Sequence, residues 1–444
     1  MSKLALLGGT PLLNGEKIPP ELFKWPIIGK EDEEAALEVI RTNAYSGTAI
    51  TEKFEKEFAQ WLGANYSVAF CNGTMALHTA MFAVGLGVGD EIICPTKTYW
   101  ASITSAYNFG ATPVFCNIAE NLNIDPDDLE RCISDRTKAI MVVHYSGLPC
   151  DMDRIMEIAQ KHGIKVIEDV SHAQGGLYKG RRLGTIGHIG AMSLMSGKSL
   201  AAGELGMLVT NDRKYYERAI AFAHYDRNNT QYIIESEDIK GYTGLPLGGL
   251  KGRANQLCVA LARVQLKYYD ERCAEIRRAM NYLCDLCEGI PGIVVNRANE
   301  EEGSNMGGWY AAHFSYRPEE LEGLSVERFV QAVRAEGVHA NAGGNFCLHT
   351  HRLFKDCDVF HTGKPTRIAF ADRDVRELDD ACDLSLRRYC FSIPWFKHFD
   401  KYWIEKVAAV YRKVAENYKD LLEGDTNRVT EGRWYGMDNE LAAR

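Results

Sequence analysis

The feature that most narrows what this chain can be is a recurring run of near-continuous apolar residues set between helical patterns. "YSVAFC" (66–71), "DEIICP" (90–95), "TPVFCNI" (112–118), "TKAIMVVHY" (137–145), "IKVIEDV" (164–170), "IGAMSLMS" (189–196) and "GMLVTND" (206–212) each read as a buried strand. Strands without polar alternation are apolar on both faces, so they belong to a mostly parallel sheet covered by helices on each side. Between them, "NGTMALHTAMFAVGLG" predicts a helix opened at Asn-Gly-Thr and stopped at Gly85 and Gly87. "TKTYWASITSAYNFG" predicts a helix closed by Gly110, "NIDPDDLERCI" a helix started by proline, and "DMDRIMEIAQKHG" an amphipathic helix ending at Gly163. Segment 258–290 reads as one long helix suited to bridging two domains.

A chain of 444 residues exceeds what one core usually organises. The pattern divides it into a large α/β domain over 1–270 with an N-terminal arm, a smaller C-terminal α+β domain over 271–423, and a polar tail over 424–444. The formal charge of −9 argues against nucleic acid or an anionic membrane as the main partner. No apolar run approaches the roughly 18–20 residues of a membrane helix, and the N-terminus is too weakly patterned for a signal peptide. Thirteen cysteines scattered through apolar segments read as reduced thiols of a cytoplasmic protein. Cys284 and Cys287 have CxxC spacing on a helical pattern with no second pair of ligands, so no metal is expected there.

In an open parallel sheet, ligands collect at the carboxyl ends of the strands. Those ends carry Asn72, Gly73 and Thr74; Thr98, Tyr99 and Trp100; His144, Tyr145 and Ser146; Glu168, Asp169, Ser171 and His172; and Ser196, Gly197 and Lys198. Each has a bland alternative. Asn72 opens a helix, which is also an anion site. Trp100 suits core packing or a flat ligand. Asp169 ends an apolar strand, where a carboxylate needs a cation or caps a helix. Lys198, in "SLMSGKSLAAGE", is either an ordinary loop lysine or an ammonium held in a site as a nucleophile. Together the set matches pyridoxal 5′-phosphate, which requires a lysine for its aldehyde, a carboxylate for its ring nitrogen, a helix N-terminus for its phosphate and an aromatic face for its ring.

The motifs "FCNGTMALHTA", "GVGDEIICPTKTYWAS", "VVHYSGLPCDMD", "VIEDVSHAQGG" and "SLMSGKSLAAGELG" give the chain a family likeness. It resembles the DegT/StrS-type sugar aminotransferases, which are fold-type I pyridoxal-phosphate transferases of aspartate aminotransferase-like architecture. The resemblance runs from "FKWPIIGKEDEEAALEVI" at 23–40 to "CFSIPWF" at 390–396. It implies that Lys198 bonds to the cofactor, Asp169 pairs with the ring nitrogen, Trp100 stacks on the ring and His172 sits near the phenolic oxygen. Gly73, Thr74 and Ser193 would bind the phosphate. It also implies a homodimer with shared sites, in which Lys251 from the other copy reaches the phosphate. The chain departs from the family at Leu205, where a glycine is usual, and at Asn255 and Gln256.

The pattern looks closest to members acting on keto-cyclitols or keto-sugars, with L-glutamine or L-glutamate as donor. His349, His351 and Arg352 of "NFCLHTHRLF" are candidate substrate contacts or a plain surface cluster. Lys198 argues for transamination, because a subgroup with histidine there performs dehydration. The rivals are a same-fold enzyme on a nucleotide-linked keto-sugar, a desulfurase using Cys347, and a cofactor-binding regulatory protein without turnover.

Overall fold

A computed structural model of the chain describes residues 3–227 and 234–426. The expected tail from 427 onward, and 228–233 of the divergent stretch 225–255, lie outside the described residues.

The seven expected strands all form: β1 (Tyr66–Phe70), β2 (Glu91–Pro95), β3 (Thr112–Cys116), β4 (Thr137–Val143), β5 (Lys165–Asp169), β8 (Ile189–Ser193) and β9 (Gly206–Thr210). A small hairpin, β6 (Leu177–Tyr178) and β7 (Arg181–Arg182), stands apart from the sheet. The sheet order is β1-β9-β8-β5-β4-β2-β3. Neighbours from β3 to β8 pair parallel, while β9 is antiparallel to both β1 and β8, so one strand is reversed. The reversal has a local cause. No crossover helix separates β8 from β9; residues 194–205 instead fold back over the carboxyl edge, and Lys198 rides on that fold.

Both faces of the sheet are buried, as the apolar runs require. On β4, Ile140 and Val142 enter one core with Phe54 and Phe58, while Ala139, Met141 and Val143 enter the other with Phe70 and Phe115. A third core surrounds the antiparallel sheet β10 (Ile293–Val294), β11 (His313–Tyr316) and β12 (Cys390–Ser392) and the helices Val326–Ala335 and Lys401–Glu416. It draws in Leu4 and Leu13 from the chain's beginning, where Ala5 N and Leu12 N donate to the Glu336 carboxylate at 2.9 and 2.7 Å. Conversely Leu348, Phe354 and Cys382 pack back onto the large sheet. Cys284 and Cys287 are buried in the third core.

Three helix expectations need correction. The segment after β2 makes two 3-10 turns, Trp100–Ser102 and Thr104–Phe109, broken at Ile103 (φ −132°). There the Ser102 hydroxyl turns to Asp169 and the Thr104 hydroxyl donates to the Trp100 carbonyl, which competes with helical bonding. The proline-started helix shrinks to Leu129–Cys132, since the Asp128 carboxylate is taken by the Asn117 N–H and by Arg131. The long helix breaks at Tyr268 into Gln256–Lys267 and Tyr269–Cys287. Among the described residues, no helix is long and apolar enough to cross a membrane.

Candidate active site

The site grows from five strand ends. After β1, Asn72 caps the helix Gly73–Ala83, its Oδ1 accepting the Met75 N–H at 2.9 Å and leaving other first-turn N–H groups for a ligand. Gly73 has no room for a side chain: a Cβ there would stand 2.6 Å from Ser193 Cβ and 2.8 Å from Ser193 Cα. The helix start and the end of β8 therefore share one wall.

At the end of β5, adjacent carboxylates face opposite ways. Glu168 is wholly buried in structure: it accepts from Gly184 N, Ile186 N and Gly187 N and lies 3.1 Å from His144 Nε2. Burial works to raise its pKa, but His144 and these N–H groups outweigh that and hold it below the usual value. Asp169 turns to the cavity. Its Oδ2 accepts from Ser102 Oγ at 2.8 Å and its Oδ1 from Ser171 N at 3.0 Å, yet among the described residues it has no salt-bridge partner. A buried carboxylate without a counter-ion is costly, and a protonated ring nitrogen would supply one.

Lys198 closes the site from the 194–205 fold. Burial pushes its ammonium down to about 8, with Asp169 pulling the other way. Its Nζ lies 4.0 Å from the centroid of the Tyr310 ring. The Lys198 carbonyl accepts from the Trp25 indole at 3.1 Å. Trp395, edge-on to Tyr310 at 5.6 Å, donates its indole N–H to the Gly308 carbonyl at 2.9 Å. Gln174 stitches the floor: its amide donates to the Ser193 carbonyl at 2.6 Å, and its Oε1 accepts from Ser199 Oγ at 2.7 Å.

The resulting cavity measures about 450 Å³. It brings together six of the expected residues: Gly73, Thr74, Asp169, His172, Ser193 and Lys198. His172 Nδ1 accepts the Ser146 N–H at 3.3 Å, which leaves the ring proton on Nε2. Burial, then Lys198 and His313, hold its pKa well below the ordinary value, so the ring is neutral.

One expectation is not met, and the Lys251 expectation concerns a second copy. Trp100 does not line the cavity; it packs against the core on one face of the sheet, while Tyr99, 4.9 Å away ring to ring, takes the lining position. Tyr99 is extended (φ −70°, ψ 134°) just before the turn that starts at Trp100, so the two side chains leave in different directions. Lys251 is exposed and off the cavity, its Nζ 5.8 Å from the Tyr225 ring. His349, His351 and Arg352 also lie off it. His349 is buried between Thr96 Oγ1 (2.6 Å) and Asp383 (3.2 Å), His351 caps a short helix, and Arg352 lies 3.6 Å from Asp356. Cys347 is fully buried.

Sequence reasoning missed the lining residues from the second half: Tyr310, His313 and Asn345. They meet Tyr145, whose hydroxyl donates to Asn345 Oδ1 at 2.9 Å, and Ser146, whose Oγ is 3.0 Å from His313 Nδ1. One signal was available. "NMGGWYAAH" places two glycines before an aromatic pair, and Gly308 passes so close to Ser199 that a Cβ would come within 2.2 Å of its Cβ.

Residues 26–369 match the model of the DegT/DnrJ/EryC1/StrS aminotransferase family. The chain is 32% identical over 393 residues to a protein of Micromonospora echinospora assigned as an L-glutamine:3-amino-2,3-dideoxy-scyllo-inosose aminotransferase, covering 83% of this chain and 90% of that one. It is 37% identical over 252 residues to the GDP-perosamine synthase of Escherichia coli O157:H7, covering 56% and 66%. The X-ray structure of the aminotransferase from Psychrobacter cryohalolentis superposes with a TM-score of 0.74 at 29% identity, over 89% of this chain and 99% of that one. The mostly parallel sheet, the unpaired Asp169 and the buried Lys198 agree with that kinship, and the chain belongs to the DegT/DnrJ/EryC1/StrS family as a pyridoxal-phosphate-dependent aminotransferase.

Proposed function

We propose that this aminotransferase moves an amino group from L-glutamine or L-glutamate onto the ketone of a keto-cyclitol or keto-sugar. The observation that carries the reading is the meeting, in one cavity, of a buried amine at about 8 with the buried carboxylate of Asp169, which has no salt bridge among the described residues. The acceptor class is supported by the similarity to the inosose aminotransferase along most of both chains.

When bound, pyridoxal phosphate supplies an aldehyde that takes up the amino group and a protonated ring that withdraws electrons from the carbon losing its proton. Lys198 is part neutral at neutral pH, so it can bond to a carbonyl and, once released, take and return a proton at the substrate carbon. Asp169 holds the ring nitrogen's proton, oriented by Ser102 and the Ser171 N–H. Gly73, Thr74 and Ser193 receive the phosphate at the helix N-terminus. Tyr99 offers the flat face that Trp100 was expected to give, and the Nε2–H of His172 serves the phenolic oxygen. Lys251, exposed and away from its own chain's cavity, would act from a second copy in a homodimer, and the enzyme would work in the cytoplasm.

The test is the visible absorption band of the holoenzyme before and after L-glutamine or L-glutamate, followed by turnover with ketone acceptors. Loss of the band with one donor and turnover of a ring ketone are expected. Lys198→Ala should abolish both, and retained ketone-dependent turnover in that variant refutes the assignment. Similarity to GDP-perosamine synthase favours a second reading, a nucleotide-linked keto-sugar as acceptor. Preference for such a substrate over free keto-cyclitols would select it.

A further inference from the structure

A second cavity, of about 740 Å³, lies behind the wall that Trp25 makes with the Lys198 fold, and it shares no lining residue with the first. Two basic side chains stand around the Trp25 indole there. Lys397 Nζ lies 5.6 Å from the ring centroid and the Arg272 guanidinium 6.0 Å from it. Lys397 is 3% exposed, and its amine rests on the face of Trp395 with no side-chain hydrogen bond or ion pair among the described residues. Among the described residues Arg272 donates to neutral acceptors, Gln265 Oε1 at 2.5 Å and the Ile27 carbonyl at 3.2 Å, and has no carboxylate within ion-pair distance.

We infer that this cavity is a binding site, separate from the cofactor's, for a small oxoanion (a phosphate or a carboxylate) held between Lys397 and Arg272 against Trp25. Lys397 is buried and Arg272 half-buried, and among the described residues neither has an ion pair, although Glu271 and Glu275 also line the cavity; a basic group held out of water without a partner is satisfied by an arriving anion. An arginine fork fits a carboxylate or phosphate with two parallel bonds, and a lysine adds a point charge. The other charged groups facing Lys397 come from the helix Tyr269–Cys287 and from the adjacent His398. Glu275 is already engaged by Arg278 at 3.2 Å and by the Phe399 N–H at 2.9 Å, and Glu271 is exposed to water. The N-terminal segment contributes Trp25 and Ile27 and no charge.

The site carries its own signature. Burial alone pushes the Lys397 ammonium down to about 5, so the empty site holds a neutral amine at pH 7. An arriving anion restores the ammonium, and binding takes up a proton. Because the Trp25 N–H also bonds the Lys198 carbonyl, occupancy would be felt at the cofactor lysine.

The experiment is isothermal titration of the holoenzyme at pH 7 with inorganic phosphate and, separately, with succinate. Each is run in two buffers of different ionisation enthalpy, with Lys397→Met and Arg272→Gln alongside. The expected result is saturable binding of at least one anion with uptake of about one proton, weakened on the order of tenfold or more in each variant. Binding of phosphate alone assigns a phosphorylated ligand, and of succinate alone a carboxylate. No saturable binding of either anion overturns the inference, as does binding that neither variant weakens. Should Lys397→Met fail to fold, Arg272→Gln and the wild-type proton uptake decide. The readout is binding, so failure here leaves the aminotransferase reading standing.

Discussion

Gly73→Ala tests the packing that places the phosphate end of the site. The added Cβ would meet Ser193 Cβ, Cα and N at 2.6, 2.8 and 2.9 Å. Ordinary contact begins near about 3.4 Å, so the helix start and the end of β8 must part by about 0.8 Å. Retreat is blocked on the other side, because Gly206 on β9 packs so tightly that its own Cβ would lie 2.2 Å from the Asn72 carbonyl oxygen. Inserting a methyl into such a wall costs about 1–3 kcal/mol. Where that cost falls on the cofactor complex, affinity drops roughly 5- to 150-fold. The assay is absorbance titration of the cofactor-free protein with pyridoxal phosphate, together with its thermal melt. Affinity within about twofold of wild type, with an unchanged melt, would show that the wall yields freely and that the reasoning is wrong.

Tyr99→Ala should weaken cofactor binding by about tenfold, the scale of one aromatic contact, while Trp100→Phe leaves it near wild type; the reverse order in the same titration would restore Trp100 to the ring. Lys397→Met should raise stability at pH 7. Between about 5 and the ordinary lysine value the unfolded chain holds a proton that the folded chain lacks. Wild-type stability therefore rises with pH across that window, and the variant's advantage in urea unfolding should shrink from pH 7 to pH 9. Glu168→Gln should cost about 2–4 kcal/mol at pH 7, since a carboxylate bonded by three N–H groups and His144 is replaced by a single carbonyl oxygen. Glu168's pKa is depressed, so its contribution is present above the ordinary carboxylate range and lost as pH falls through its lowered value; a gap that widens in acid would contradict this.

Every strand of the large sheet was legible because burial on both faces writes itself as unbroken apolar residues, and Ile140 and Met141 enter different cores to show why. The strand-end rule then found Asp169, Lys198 and the Gly73 elbow without any knowledge of their distances. What it could not see was direction at the start of a turn: Tyr99 and Trp100 are neighbours of like chemistry, and only the backbone there decides which faces the ligand. Nor could it find Tyr310, His313 and Asn345, which come from a short-stranded region where no periodicity points to a site. His349, left open between a substrate contact and a surface cluster, turns out buried between Thr96 and Asp383, a placement that leaves no mark in the sequence.

The indole of Trp25 grips the carbonyl of Lys198 across 173 positions of chain, while the arm that precedes it is held by Glu336 and by the core built from residues up to Leu421. The arm is made before the surface it docks on and can settle there only after that surface has formed. The lysine loop is thus the final part of the molecule to be clamped, and loops closed over such distances form late in folding. If Lys198 carries the cofactor as proposed, cofactor colour acts as a completion signal, since native binding would require the Trp25 clamp to be in place.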